Sequence, residues 1–387
     1  MPVQQILKMI YAPHKAIKEI SQNPKYIGPI LIVILFVAAN IGFIYAATSK
    51  TYVEQVLPAS TNLDEWTENS TLWTAEPLGT IISENSDHIN GTYYGNKSIE
   101  FSVANSQRLS AQLNSLGSVN CSGPQGYEKL SMRVKQTSPA SDPINVTIYL
   151  FSSTPSDYFY YNLTQDFNNS AASMWNNLTI PLRSEGWLNS STTADWGNIT
   201  SLKLETVWPD DSNITLLVDG LFFRGYSGSL FENAGTSYVM NYSLIVFMQF
   251  TITWIFLCGI IYVMSRAFGA KLIWKTLLII VGFTLITMVI QTVINAVAYA
   301  TLPSIYYPFE LIGGVSGEGD IAFNRILDQT WLVSLIGRYV EIATYVWTIA
   351  LCSLTVRSLS EFTWAKSFLI GTVAYFAMLA IRFLIGI

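Results

Sequence analysis

Side chains suited to acid–base or metal chemistry are sparse in this sequence. Only two histidines occur, His14 and His88, and the placement of basic residues assigns them to opposite sides of a membrane. That excludes a triad using both and any multi-histidine metal site. No glycine-rich phosphate loop and no H-E-x-x-H is present, and Asp210-Asp211 reads as a turn between strands. Of three cysteines, Cys258 and Cys352 lie in apolar runs, so Cys121 is left without an intrachain disulfide partner. No catalytic, cofactor-binding or metal-binding residue is assigned, and the expectation is a protein that is not an enzyme.

The ionisable and amide side chains that do stand out lie within apolar runs, where they are costly. Arg338 and Glu341 are three apart on one helical stretch, flanked by Ser334 and Thr344. Counting at ~1.5 Å per residue from the outer end of each run brings Asn40, Gln249, Gln291, Asn295, Arg338 and Glu341 to one depth, ~8–15 Å below the surface. Such a layer either glues helices together around a mutual Arg338–Glu341 pair or forms a small hydrophilic pocket open to the outside. Arg382 is close enough to the end of its run to snorkel.

The elements that must carry these residues follow from composition. Half of the 387 residues are hydrophobic and 12% are charged, well below the roughly 25% of soluble domains. Residues 27–48 form an uncharged run long enough to span a bilayer, and four more follow at about 241–264, 274–300, 331–355 and 367–386. Between the first two lies a polar block, 49–238, with 9 Lys+Arg against 19 Asp+Glu, a net charge of −10. Its acidity argues against nucleic acid as a partner. Four segments result: a cytoplasmic amphipathic segment 1–26, a first spanning helix 27–48, an extracytoplasmic domain 49–238 and a four-helix region 239–387. Lys8, Lys15, Lys18, Lys25, Arg266, Lys271, Lys275, Arg357 and Lys366 fall on one side of the spans. The positive-inside rule therefore places the N-terminus in the cytoplasm, and the polar block and C-terminus outside.

N-glycosylation sequons agree with that orientation. They occur at Asn69, Asn90, Asn96, Asn120, Asn145, Asn162, Asn168, Asn177, Asn189, Asn198 and Asn213, all in the polar block, and at Asn241 beside the membrane. At the other end, Val3, Ile6, Leu7, Ile10, Ile17 and Ile20 follow helical spacing among lysines, with Pro13 opening a second short helix. This segment either lies in the headgroup region of the lipid bilayer or packs on the bundle.

Within the polar block, short runs alternate apolar and polar residues. Leu130, Met132 and Val134 form one, Val146, Ile148 and Leu150 another, and Leu178, Ile180 and Leu182 a third; Leu202 and Leu204, then Ile214, Leu216 and Val218, continue the pattern. Many short strands separated by Ser/Asn/Pro/Gly turns indicate an all-β sandwich. Exposed Tyr158, Tyr160, Tyr161 and Trp187 are candidates for an aromatic sugar platform.

The succession MWNNLTIPL, ADWGNITSLKLE and SNITLLVDGLFF resembles the closing strands of galactose-binding-like jelly rolls, the fold of many carbohydrate-binding modules. That resemblance implies Trp175, Trp196 and Phe223 in the core and Asp219 bracing the turn at Gly220. Related folds often hold a structural calcium ion. A second stretch, APHKAIKEISQNPKYIGPILIVIL, resembles the opening of prokaryotic members of the Yip (Ypt-interacting-protein) family, as do five spans and the basic, aromatic-flanked loop VRSLSEFTWAKS. The large β domain after the first span departs from that family. What the resemblance implies is a non-enzymatic, membrane-organising or scaffolding role, with the external domain contacting glycans or surface proteins. The alternative is a transporter or receptor for a small ligand or lipid that uses the polar layer.

Overall fold

The computed structural model describes residues 2–59, 64–168 and 173–385. The chain divides into two compact units, one of residues 1–51, 230–305 and 328–387, the other of residues 52–229 and 306–327.

The second unit is a β-sandwich of ten strands: β1 (Gln55–Leu57), β2 (Trp73–Glu76), β3 (Ile81–Asn85), β4 (Ser98–Leu113), β5 (Lys129–Ser138), β6 (Asn145–Phe151), β7 (Tyr158–Asn162), β8 (Asn176–Pro181), β9 (Leu188–Asn189) and β10 (Ser201–Gly225). Two long strands, β4 and β10, pass through both layers. Their ends at 108–113 and 201–207 pair in a layer ordered β9-β7-β6-β10-β4-β2. Their other halves, at 99–103 and 214–218, belong to a layer with β8 and β5 on one side and β3 on the other, and β1 pairs the last residues of β10. The register of β10 on β4 breaks between Val207 and Ser212, where β10 leaves one layer for the other. Asp210 and Asp211 sit at that break inside β10, correcting the expected turn between strands; a bulged strand bends without ending.

Period-two alternation fills the space between the layers. Leu130, Met132, Val134, Val146, Ile148, Leu150, Leu178, Ile180, Leu202, Leu204, Ile214, Leu216 and Val218 are all buried in one cluster, together with Trp66, Trp73 and Phe101. Burial pushes the Cys121 thiol up to about 12, so it is an inert core residue. Trp196 packs on the cluster and Phe223 is inside it. Trp175 is not: its indole Nε1 donates to Asp87 Oδ1 at 3.0 Å and its ring faces the Lys135 ammonium, so a polar partnership holds it at the surface.

The first unit is helical: α1 (Pro2–Tyr11), α2 (Pro13–Gln22), α3 (Ile27–Thr48), α4 (Leu230–Ala267), α5 (Trp274–Thr284), α6 (Ile286–Ala300), α7 (Glu318–Ser360, from residue 328 onward) and α8 (Trp364–Leu384). Among the described residues, five helices, counting Trp274–Ala300 as one, are long and apolar enough to cross a membrane by length and composition. That helix is interrupted at Leu285, where Thr284 Oγ1 bonds back to the Val281 carbonyl. A Lys8–Glu19 ion pair of 2.6 Å joins α1 and α2, and Ile6, Met9, Ala16, Ile17 and Ile20 are buried in the bundle's own core. The amphipathic segment thus uses its apolar stripe for packing, while Val3, Leu7 and Tyr11 stay exposed.

Candidate functional site

The two outer faces of the sandwich differ in what covers them. The outer face of the β5/β10 layer is covered. Phe222 and Arg224, which alternate outward from Leu221 and Phe223, meet residues 306–327, the segment between the third and fourth apolar runs. Tyr94, Phe222 and Phe309 form a small buried cluster with ring centroids 5.0–6.1 Å apart. Gly220, at φ +54°, permits this: a Cβ there would stand 2.4 Å from the Tyr94 ring.

Charge joins the same parts. The buried Glu54 carboxylate accepts from Arg224 Nη2 at 2.6 Å, from Lys129 Nζ at 3.1 Å and from the Phe309 amide at 2.8 Å. Arg224 also donates to Glu310 at 2.8 Å, and Arg133 to both oxygens of Glu318 at 2.6 and 2.8 Å. Burial raises the Glu310 carboxyl, but the Arg224 guanidinium outweighs it and holds the group below its ordinary value.

Beside this cluster lie two buried carboxyls. Asp219 Oδ1 accepts from the Gly220 amide at 2.7 Å and Oδ2 from the Ile89 amide at 2.6 Å, so it braces the turn at Gly220. Asp64 Oδ2 accepts from Thr67 Oγ1 at 2.7 Å and from the Gly220 amide at 3.1 Å, while its Oδ1 has no partner. Burial, reinforced by the Asp219 charge, pushes Asp64 well above the ordinary carboxylate range; burial also raises Asp219, against the pull of its hydrogen bonds. Two carboxylates this close need a shared proton or cation. The oxygens are hard donors of the kind calcium takes, though calcium requires six to eight. No three His, Cys, Asp or Glu side chains converge on one point among the described residues.

The outer face of the β6/β7 layer carries aromatic rings instead. Tyr149, Phe151, Tyr158 and Tyr160 alternate outward on two paired strands, with Tyr149 opposite Tyr160 and Phe151 opposite Tyr158. Their ring centroids lie 5.5–6.4 Å apart, and the Lys203 ammonium sits 4.1 Å from the Tyr149 centroid. A 2.6 Å Arg108–Glu205 pair and Gln112 continue the face across β10 and β4. Each ring is half-buried. The result is a strip of ring faces flanked by donors and acceptors, the combination that stacks on and hydrogen-bonds a polar ring such as a sugar.

This corrects half of the expected platform. Tyr158 and Tyr160 are in the strip. Tyr161, one residue out of phase, points the other way with Phe159 and packs on Trp187, which in turn meets Trp196 edge-on at 5.2 Å. Tyr149 and Phe151 were missed, although their alternation with Ile148 and Leu150 is visible in the sequence.

In the helical unit the six polar residues do not form one cluster. Asn40 is buried and donates to the Phe36 carbonyl at 2.8 Å and to Thr292 Oγ1 at 3.5 Å. Asn295 is half-buried with its Oδ1 unpartnered, and Gln249 and Gln291 are half-buried. Arg338 and Glu341 are exposed and no ion pair joins them; Glu341 accepts instead from the Tyr345 hydroxyl, one turn along. Residues three apart on a helix share a face, but here both side chains leave it outward. Of the sequon asparagines, Asn69, Asn90, Asn96, Asn120, Asn162, Asn177, Asn189 and Asn213 are exposed. Asn145, Asn168 and Asn198 are half-buried and their amides already donate, to Thr147, the Pro143 carbonyl and Ser153.

No family model and no curated protein matches this chain. Among solved structures it is similar to a family 11 carbohydrate-binding module from Clostridium thermocellum in complex with a β-1,3-1,4-mixed-linked tetrasaccharide: 16% identity, TM-score 0.29, covering 44% of this chain and 95% of that one. A family 30 carbohydrate-binding module of a cellulosomal cellulase of the same organism follows at 13% identity, TM-score 0.29, with 38% and 84% covered. A β-1,2-glucanase from Parabacteroides distasonis matches at 18% identity, TM-score 0.30, with 41% and 24% covered.

Proposed function

We propose that this chain is a non-enzymatic, membrane-held scaffold whose sandwich binds glycans through the Tyr149–Phe151–Tyr158–Tyr160 strip. The observation that carries the reading is the strip itself, four half-buried rings on one sheet face with Lys203 over one of them. Aromatic rings on a strand serve packing when another layer encloses them; these four are half-buried, not enclosed. The five apolar helices act as spans, with the sandwich and C-terminus outside and its exposed sequons glycosylated. The jelly-roll resemblance implies a structural calcium ion, but Asp64 and Asp219 are joined by no third acidic side chain among the described residues, too few ligands for calcium, and a proton shared between the two carboxyls fits them better. The transporter reading receives less support: of the two breaks in the long helices, the one at Leu285 lies within an apolar run, whereas the non-helical Gly235 of α4 precedes the run at 241–264.

The test is a glycan array probed with the intact protein in lipid nanodiscs. Binding to a family of glucans or other neutral glycans, lost in the Tyr149→Ala/Tyr158→Ala variant, is the expected result. An array without signal for a correctly folded protein removes the glycan-binding part of the reading.

A further inference from the structure

The uncovered stripe on α7 points to a second copy of this chain. Trp331, Ser334, Arg338, Glu341 and Tyr345 succeed one another at intervals of three and four, so they lie along one side of the helix. The first four are exposed. Continued by the same spacing, the stripe reaches Thr348 and Cys352, which are 1% and 0% exposed. One half of the seam is thus packed inside the helical unit and the other half is bare. Leu335, Tyr339 and Ile342 beside it are exposed as well.

Apolar side chains facing lipid need no explanation; Arg338 and Glu341 do. Arg338 has no ion-pair partner within 4 Å among the described residues, and Glu341 has only the neutral Tyr345 hydroxyl. The other charged group at this level is Arg382 on α8, about as far from the turn joining α7 and α8 as Glu341 is. It makes no ion pair with Glu341, and its own Nε lacks a partner. Within one copy, neither charge on the seam has an ion-pair partner within 4 Å among the described residues.

We propose that α7 is the interface of a parallel homodimer, an inference that rests on α7 being a membrane span. A two-fold axis along the membrane normal brings equal depths together, so each contact occurs twice. Arg338 and Glu341 are separated by ~4.5 Å along the axis, within reach of an extended arginine. Arg338 of each copy meets Glu341 of the other, and Tyr345 orients the carboxylate that receives it. The seam carries one charge of each sign and is therefore complementary to itself. A different partner would need its own buried pair at the same depth. Spacing of three and four is that of helices packed side by side along a seam, and polar seam positions fix register.

The experiment uses the full chain with Cys121, Cys258 and Cys352 replaced by serine and one cysteine introduced, oxidised in native membranes. Ser334→Cys is expected to give mostly disulfide-linked dimer, and Leu369→Cys, exposed on α8, at least tenfold less. Arg338→Glu or Glu341→Arg in the Ser334→Cys chain should cut cross-linking about tenfold, and the combined reversal should restore it. Equal cross-linking at both cysteines, single reversals without effect, or a folded double reversal that fails to recover overturns the dimer. If the single reversals do not fold, the contrast between positions 334 and 369 decides alone. A chain released from membranes by alkaline carbonate overturns the span reading together with the dimer; a chain that stays but does not cross-link overturns only the dimer.

Discussion

Glu54→Ala should be among the most damaging single changes in the sandwich unit, although residue 54 lies at its edge in sequence. The carboxylate is fully enclosed and compensates Arg224, whose side chain is 5% exposed, as well as Lys129. It also satisfies the Phe309 amide. Removing it leaves a buried guanidinium with Glu310 as its remaining partner, and one buried N–H with none. Removing one member of a buried pair costs about 3–5 kcal/mol, and the orphaned amide about 1–3 kcal/mol. The two overlap, because relaxation that rescues one can rescue the other, so about 4 kcal/mol is the expected loss. For a unit of this size that is a fall in Tm of roughly 8–16 °C. The assay is thermal unfolding of the full chain in nanodiscs followed by tryptophan fluorescence, since Trp66 and Trp73 report on this unit's core. Glu310→Ala, at a position 26% exposed, should cost roughly half as much. Glu54→Ala with Arg224→Leu should cost less than the two single changes added together. A Glu54→Ala loss below about 1 kcal/mol, or strict additivity with Arg224→Leu, would refute the buried network.

Four further outcomes follow. Asp64 and Asp219 have folded values raised above the ordinary carboxylate range, so at these two sites the fold binds more protons than the unfolded chain. In calcium-free buffer, the stability this pair contributes should be fully present below about pH 4, the ordinary carboxylate value, and be lost as pH rises through the raised values. Asp64→Asn should flatten that slope and raise Tm at pH 8, and millimolar calcium that stabilises only the wild type would identify the ion as the pair's counter-charge. Residues 49–238 expressed alone should keep β-sheet circular dichroism but melt lower than the unit in the full chain, because Phe309, Glu310 and Glu318 are absent; adding a peptide of residues 306–327 should raise the midpoint. Glycopeptide mass spectrometry should find Asn69, Asn120, Asn177 and Asn213 occupied and Asn145, Asn168 and Asn198 empty. Single cysteines at Arg266 and Ser360 should resist an impermeant thiol reagent in intact cells; labelling of either from outside would reverse the orientation.

Much of the architecture is legible because burial writes a period into the sequence. The runs Leu130–Val134, Val146–Leu150 and Ile214–Val218 alternate, and each fills the sandwich core. Apolar runs of about twenty residues likewise give the long helices. The covering of Phe222 and Arg224 by residues 306–327 was not legible: an acidic loop with Glu310 and Glu318 looks solvated until its arginine partners, more than 80 residues away, are known. Depth counting carries no information on rotation about each helix, so it pairs Arg338 with Glu341 where the fold turns both outward. The platform erred by phase. Tyr160 and Tyr161 are neighbours, and only register shows which of them leaves the core.

The most direct test of the proposed function compares two aromatic substitutions on opposite faces of the β6/β7 layer. Binding of glycans identified on the array should be measured for Tyr149→Ala and for Trp187→Ala by affinity electrophoresis, with Tm recorded for both. The strip reading predicts that Tyr149→Ala weakens binding at least tenfold with little change in Tm, while Trp187→Ala lowers Tm and leaves binding by the folded fraction intact. Unchanged binding in Tyr149→Ala, or loss confined to Trp187→Ala, would contradict it.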